Sequence, residues 1–186
     1  MSASAETKSA KTVWTVDKAH TSVEFAVKHM MFTTVRGRFA AFNIDVDFDE
    51  ANPERSSVEA TLEAASIDTR EPDRDAHLRS ADFLDAEKYP QLVFKSRRIE
   101  RTNGSRYQII GDLTIRDVTR EVALDTEFVG TGKNPWGATV AAFSAETKIN
   151  RKDYGLNWNA ALEAGGWLVG DEVKIQFEVE LTQQQG

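Results

Sequence analysis

Apolar and polar residues alternate along most of this chain, which puts successive side chains on opposite faces of an extended backbone. Val23, Phe25, Val27 and His29 share one face, while Glu24 and Lys28 take the other. Val58, Ala60, Leu62 and Ala64 form a second row, Tyr107, Ile109, Leu113 and Ile115 a third, and Val122, Leu124 and Phe128 a fourth. The clearest row is Val173, Ile175, Phe177, Val179 and Leu181, with Lys174, Gln176, Glu178 and Glu180 opposite. The spacing predicts about eight strands, at 21–29, 35–48, 56–67, 91–100, 106–116, 120–130, 138–150 and 171–183, after a short run at 12–17.

One run changes phase. Val35 and Phe39 are odd-numbered, whereas Phe42, Ile44, Val46 and Phe48 are even. A side-chain period of 2 cannot accommodate that shift without a bulge or bend, expected near Ala40–Ala41. Asn103-Gly104 signals a hairpin, and 51–54 and 130–137 read as loops. Strands at hairpin spacing pair antiparallel, and closing the sheet hides its edges. The expected fold is therefore all-β, an eight-stranded antiparallel up-and-down barrel with one or two short helices in its connections. A β-sandwich is the alternative. Residues 1–11 read as a flexible N-terminus, 12–182 as a single barrel domain and 183–186 as a loose C-terminus.

Two intervals break the rhythm, 68–90 and 151–170. The first contains "TREPDRDAHLRSADF", with Arg70, Glu71, Asp73, Arg74, Asp75, His77 and Arg79 crowded together ahead of Phe83 and Leu84. Ser80 is suited to cap a helix over "ADFLDAEK", with Phe83 and Leu84 buried and Pro90 ending it.

Composition narrows the chemistry. The 186 residues include no cysteine, which excludes disulfides, thiolate metal sites and cysteine nucleophiles. A net charge of −7 without a basic block argues against nucleic acid as a partner. No apolar run reaches the ~18 residues of a membrane span. The polar start "MSASAETKSAKT" lacks the pattern of a secretory signal, so the expected location is the cytoplasm. Asp45, Asp47 and Asp49 alternate as calcium ligands would, but Glu50 and Ser56 stand where that loop needs Gly and Glu. His20 and His29 would lie about 30 Å apart on one strand, so no paired-histidine metal site is expected. No nucleophile–base pair is legible, and no cofactor is expected. His29 continues the inward row and should sit at the rim of the barrel. An eight-stranded barrel either fills itself or holds one small ligand, and the aromatic content does not decide between them.

Four stretches resemble a known family. They are "WTVDKAHTSVEFAVKHMMFTTVRGRF" at 14–39, "SIDTREPDRDAHLRSADFLDAEKYPQLVFKS" at 66–96, "GDLTIRDVTREV" at 111–122 and "INRKDYG" at 149–155. In order, they are similar to the motifs of the YceI-like bacterial lipid-binding proteins. The resemblance implies a lipocalin-like barrel whose apolar cavity holds a polyisoprenoid chain, such as a polyprenyl phosphate or a quinone tail. Such a protein would carry, store or sequester its lipid. Phe25, Val27, Phe39, Phe83, Leu113 and Trp158 are the candidate lining, and His29, Arg74 and His77 the candidate head-group contacts. Arg36 and Arg38 fall in the outward phase. Asp117 stands where the family often has Gly in a tight turn, and Asp tolerates that conformation. An enzyme using His77 beside Asp73 and a stress-response interaction module are the other readings. A homodimer stays open.

Overall fold

The computed structural model describes residues 12–185, so the segment 1–11 lies outside the described residues. Eleven strands and one α-helix follow in order: β1 (Trp14–Val16), β2 (Ser22–His29), β3 (Thr33–Phe39), β4 (Phe42–Asp47), β5 (Ser57–Glu63), β6 (Ile67–Asp68), α1 (Pro72–Arg79), β7 (Gln91–Asn103), β8 (Arg106–Ile115), β9 (Val118–Lys133), β10 (Thr139–Asn150) and β11 (Val169–Gln183). All pairings are antiparallel. The sheet runs β4-β5-β7-β8-β9-β10-β11-β2-β3-β6, with β1 added alongside β11. The all-β, antiparallel, curled architecture is as expected. The strand count is eleven rather than eight.

The extra strands have a physical origin. The long run 35–48 breaks into β3 and β4 at Ala40–Ala41, where the parity of its apolar residues changes. The run 56–67 breaks in step, through a short 3-10 turn at Ala64–Ser66. The Ala40 N–H donates to the Ser66 carbonyl at 3.1 Å and the Glu63 N–H to the Ala41 carbonyl at 3.0 Å, so the two bends brace each other. Ala64 is fully buried inside that corner. The folded-over pair carries the chain from one end of the sheet to the other, so the covalent backbone itself helps curl the sheet into its barrel-like shape. The remaining seam lies between β1 and β4, which pack side by side without backbone pairing. The run at 12–17 is β1.

The inward rows make the core. Val23, Phe39, Leu62, Phe94, Leu113 and Leu124 are buried in one cluster. A second gathers Trp14, Phe48, Ala141 and Leu181 near the seam. Phe128 and Phe143 stack there at 5.1 Å, and Phe48 meets Phe143 edge-on at 5.1 Å and Phe128 tilted at 6.0 Å.

The helix sits earlier than the sequence suggests. It spans Pro72–Arg79, and Ser80 closes it instead of opening a second one. Pro72 supplies a pre-set first turn, and Asp73 and Asp75 complement the dipole there. The Ser80 hydroxyl donates to the His77 carbonyl at 2.6 Å, and turns at 81–84 and 86–88 follow. Phe83 and Leu84 are buried, as expected.

Candidate binding cavity

The interior is not filled. Two apolar lobes lie end to end along the barrel axis. The larger, of about 140 Å³, is lined by Phe25 and Val27 of β2, Phe39 of β3, Phe83 and Leu84 of the crossover, Leu113 of β8 and Val169, Val173, Ile175 and Phe177 of β11. The smaller, of about 100 Å³, is lined by Ile44, Phe48, Ile99, Tyr107, Phe128 and Phe143 among others. Ala60, Phe94 and Phe177 border both, so they form the waist between the lobes. Each lobe is comparable to the roughly 150 Å³ apolar void that admits a benzene-sized guest. Together they fall short of the roughly 300 Å³ at which small-molecule pockets begin.

The open end of the larger lobe is built from three segments. The first is the crossover. Asp75 is buried and accepts from the Thr69 N–H at 2.8 Å and from the Thr69 hydroxyl at 2.5 Å. Arg74 donates through Nε to the Thr69 hydroxyl at 2.7 Å and through Nη2 to the Thr69 carbonyl at 2.9 Å. These bonds fasten α1 to the end of β6. His77 Nε2 lies 2.8 Å from Asp82, and the ring meets Phe83 and Trp158 edge-on at 5.1 and 4.6 Å.

The second segment, 151–168, depends on a buried cation. Arg151 is 4% exposed and sits in the lining of the larger lobe. Its Nε donates to the Gly170 carbonyl at 2.9 Å, and its Nη1 to the carbonyls of Leu156 and Trp158 at 2.7 and 2.8 Å. Burial lowers its pKa and Asp171, 3.7 Å away, opposes that shift. Asn159 brackets Val169, donating to its carbonyl at 2.8 Å and accepting from its N–H at 2.9 Å. Residues 170–172 bulge out of register between the pairs Val169–His29 and Val173–Val27. Arg151 and Asn159 thus pin a bulge at the rim.

The third segment is the β2–β3 turn, Met30–Phe32, whose Met30 N–H donates to the Leu168 carbonyl at 2.8 Å. His29, half-buried, stands just inside it, paired with Val169 and Thr33.

The structure brings five of the expected lining residues, Phe25, Val27, Phe39, Phe83 and Leu113, around the larger lobe. Trp158 lies behind the lining, against His77 and Phe83. Arg74 and His77 bond within the crossover, and His29 stands apart from them at the rim. Arg38 pairs outward with Asp68 at 3.2 Å. Sequence reasoning missed Arg151, because a lone arginine in an irregular segment gives no sign of burial. It also missed the meeting of Asp17, His20 and Glu180, whose ligand-type atoms all lie within 4.8 Å of one another. That contact joins β11 to residues far away in the sequence. His20 Nδ1 is 2.9 Å from Asp17 and 3.9 Å from Glu180.

No helix among the described residues is long and apolar enough to cross a membrane. The profile of the YceI-like domain matches residues 14–181. A Staphylococcus epidermidis protein, UPF0312 protein SERP2314, is 38% identical over 172 residues, covering 92% of this chain and 98% of its own. Burkholderia cenocepacia BcnA superposes with a TM-score of 0.78 at 27% identity, over 89% of this chain and 99% of its own. A polyisoprenoid binding domain from Saccharophagus degradans, implicated in plant cell wall breakdown, superposes with a TM-score of 0.66 over 94% of this chain and 100% of its own. Its identity is 12%, so it speaks for the fold alone.

Proposed function

Because the chain belongs to the YceI-like domain family, we propose that it binds an isoprenoid-type lipid inside the barrel and serves as a carrier or store for it. The observation that carries this reading is the pair of joined lobes, lined almost wholly by apolar side chains and running along the barrel axis. A flexible hydrocarbon is the ligand such a surface favours, at about 25 cal/mol per Å² of apolar area withdrawn from water. One solved domain of the same fold is a polyisoprenoid binding domain.

The tail lies along Phe25, Val27, Phe39, Phe83 and Leu113, and the head group remains at the rim beside His29. The only charged side chain in the larger lobe's lining, Arg151, directs its guanidinium to main-chain carbonyls. An uncharged head, as on a quinone, therefore suits the site better than a buried phosphate. A long chain exceeds the present volume, so Phe94 and Phe177 turn aside at the waist as it enters.

The test is native mass spectrometry of the purified protein, followed by organic extraction. A co-purifying or added prenyl lipid retained one-to-one is the expected result. A protein that is ligand-free and takes up neither polyprenyl phosphate nor quinone would overturn the reading. Arg74→Ala is expected to weaken uptake of phosphorylated and uncharged lipids equally, because Arg74 holds α1 to Thr69. A selective loss of the phosphorylated lipid would instead make Arg74 a head-group contact.

A further inference from the structure

The rim carries a feature that ligand binding does not use. At the β2–β3 turn, Phe32 is 82% exposed, Met31 64% and Met30 41%. On the adjoining loop Trp167 is 58% exposed. The two loops are joined by the Met30–Leu168 hydrogen bond, and Met31 lies over Gly166, where a Cβ would collide with its sulfur. Four large apolar side chains therefore project from one point of the surface.

The backbone holds them there at a cost. Met30 and Met31 adopt φ of 50° and 68°, in the left-handed region that Asn and Gly occupy readily and other residues rarely. Two successive turn residues in this region are most cheaply supplied by Asn-Gly. The chain instead keeps methionines in strained conformations and turns them toward water. Backbone strain of this kind persists where the surrounding structure holds it, and it clusters at functional sites.

We propose that this tip inserts into the surface of a lipid bilayer and seats the barrel mouth on it. Four observations favour a bilayer over a second protein chain. Residues 29–35 contain no carboxylate, ammonium or guanidinium, and 156–170 contain a single one, Glu163. The tip thus lacks the charge pattern that fixes the register of a protein partner. Four side chains on two narrow loops cannot supply the roughly 800 Å² per partner of a stable protein interface, whereas insertion into lipid needs no complementary surface. Phe and Trp at the water–hydrocarbon boundary are the side chains suited to that depth. Finally, Val27 and Val169, which line the larger lobe, lie within a few residues of the tip on both of its strands. A lipid leaving the bilayer at this point meets apolar surface continuously into the cavity. The inference takes its purpose from the lipid-carrier reading, but the contact itself can be measured without a bound ligand.

The experiment is co-flotation of the full chain with vesicles of pure phosphatidylcholine. It compares wild type with Met31→Ser/Phe32→Ser, with Trp167→Ser, and with Trp136→Ser, an 84% exposed tryptophan at the opposite end of the barrel. The expected result is binding by wild type and Trp136→Ser, reduced at least tenfold in each tip variant. Far-ultraviolet circular dichroism and retained uptake of detergent-delivered prenyl lipid would show those variants folded. Absence of wild-type binding, or equal binding by all four proteins, overturns the proposal. So does a vesicle-free dimer, seen by light scattering, that the tip substitutions dissociate, since the tip would then be a contact between copies. Vesicle binding by a protein that takes up no prenyl lipid would refute the carrier reading and leave the docking surface standing.

Discussion

Asp17 and His20 show how much a single side-chain contact can be asked to explain. The hydrogen bond to Asp17 raises the His20 pKa, and the same bond lowers that of Asp17. Both groups are at the surface, so the effect on stability is small and its pH dependence is the useful quantity. A raised histidine contributes fully below its unfolded pKa and loses that contribution as pH climbs through the folded one. A depressed aspartate contributes above its unfolded pKa and loses it as pH falls through the folded one. The pair is therefore strongest between roughly pH 4 and 6.5. His20→Ala should lower Tm most in that window and least above pH 8, as thermal melts across pH would show. A deficit independent of pH would mean that His20 acts through packing. Neither this pair nor the buried Arg151 was legible beforehand, because Asp17 and His20 meet across a single 3-10 turn that alternation does not mark, and Arg151 is buried by an irregular segment without a period of its own.

Among the elements, β2 and β3 show why one glycine is placed where it is. A Cβ on Gly37 would overlap the Phe25 ring and come within 2.9 Å of the Thr69 methyl. The missing side chain lets Phe25 lie flat against β3 and keeps the larger lobe open. Gly37→Ala should push the ring into that lobe, costing about 1–3 kcal/mol from overpacking and reducing prenyl-lipid uptake. Urea denaturation and extraction of bound lipid would check the two effects. Unchanged uptake would show that Phe25 has room to move elsewhere. Alternation of apolar residues identified nearly every strand, and the parity change at Ala40–Ala41 located the main bend. The helix was misread because Ser80 suits both ends of a helix. The charged run ahead of it has no apolar stripe to mark it as helical, and its buried member, Asp75, is held by hydrogen bonds to Thr69.

For the whole molecule, the decisive quantity is the continuity of the interior. Ala60 is 4% exposed and faces both lobes. Ala60→Leu should separate them, at a cost of about 1–3 kcal/mol. Short prenyl chains should still bind and long ones should be lost, a shift readable by native mass spectrometry over a series of chain lengths. Loss of short and long chains in equal proportion would mean that the ligand does not run through the waist. Barrel class and inward rows were open to sequence reasoning because burial leaves a periodic trace. Cavity volume leaves none, since the same aromatic residues can fill a core or line a void.

The sheet order also governs how the chain reaches this state. β2, ending at His29, finds its outer partner in β11, which begins at Val169, and β1 pairs with the final residues of that same strand. Contacts so distant in sequence form slowly, because a long loop must close before they offset its entropy. During synthesis, the outer hydrogen-bonding edge of β2 waits until the residues from Val169 onward have emerged. The protein thus passes through a stage in which one edge of the strand bearing Val23, Phe25 and Val27 is unpaired, and its yield in the cell depends on how that interval is survived.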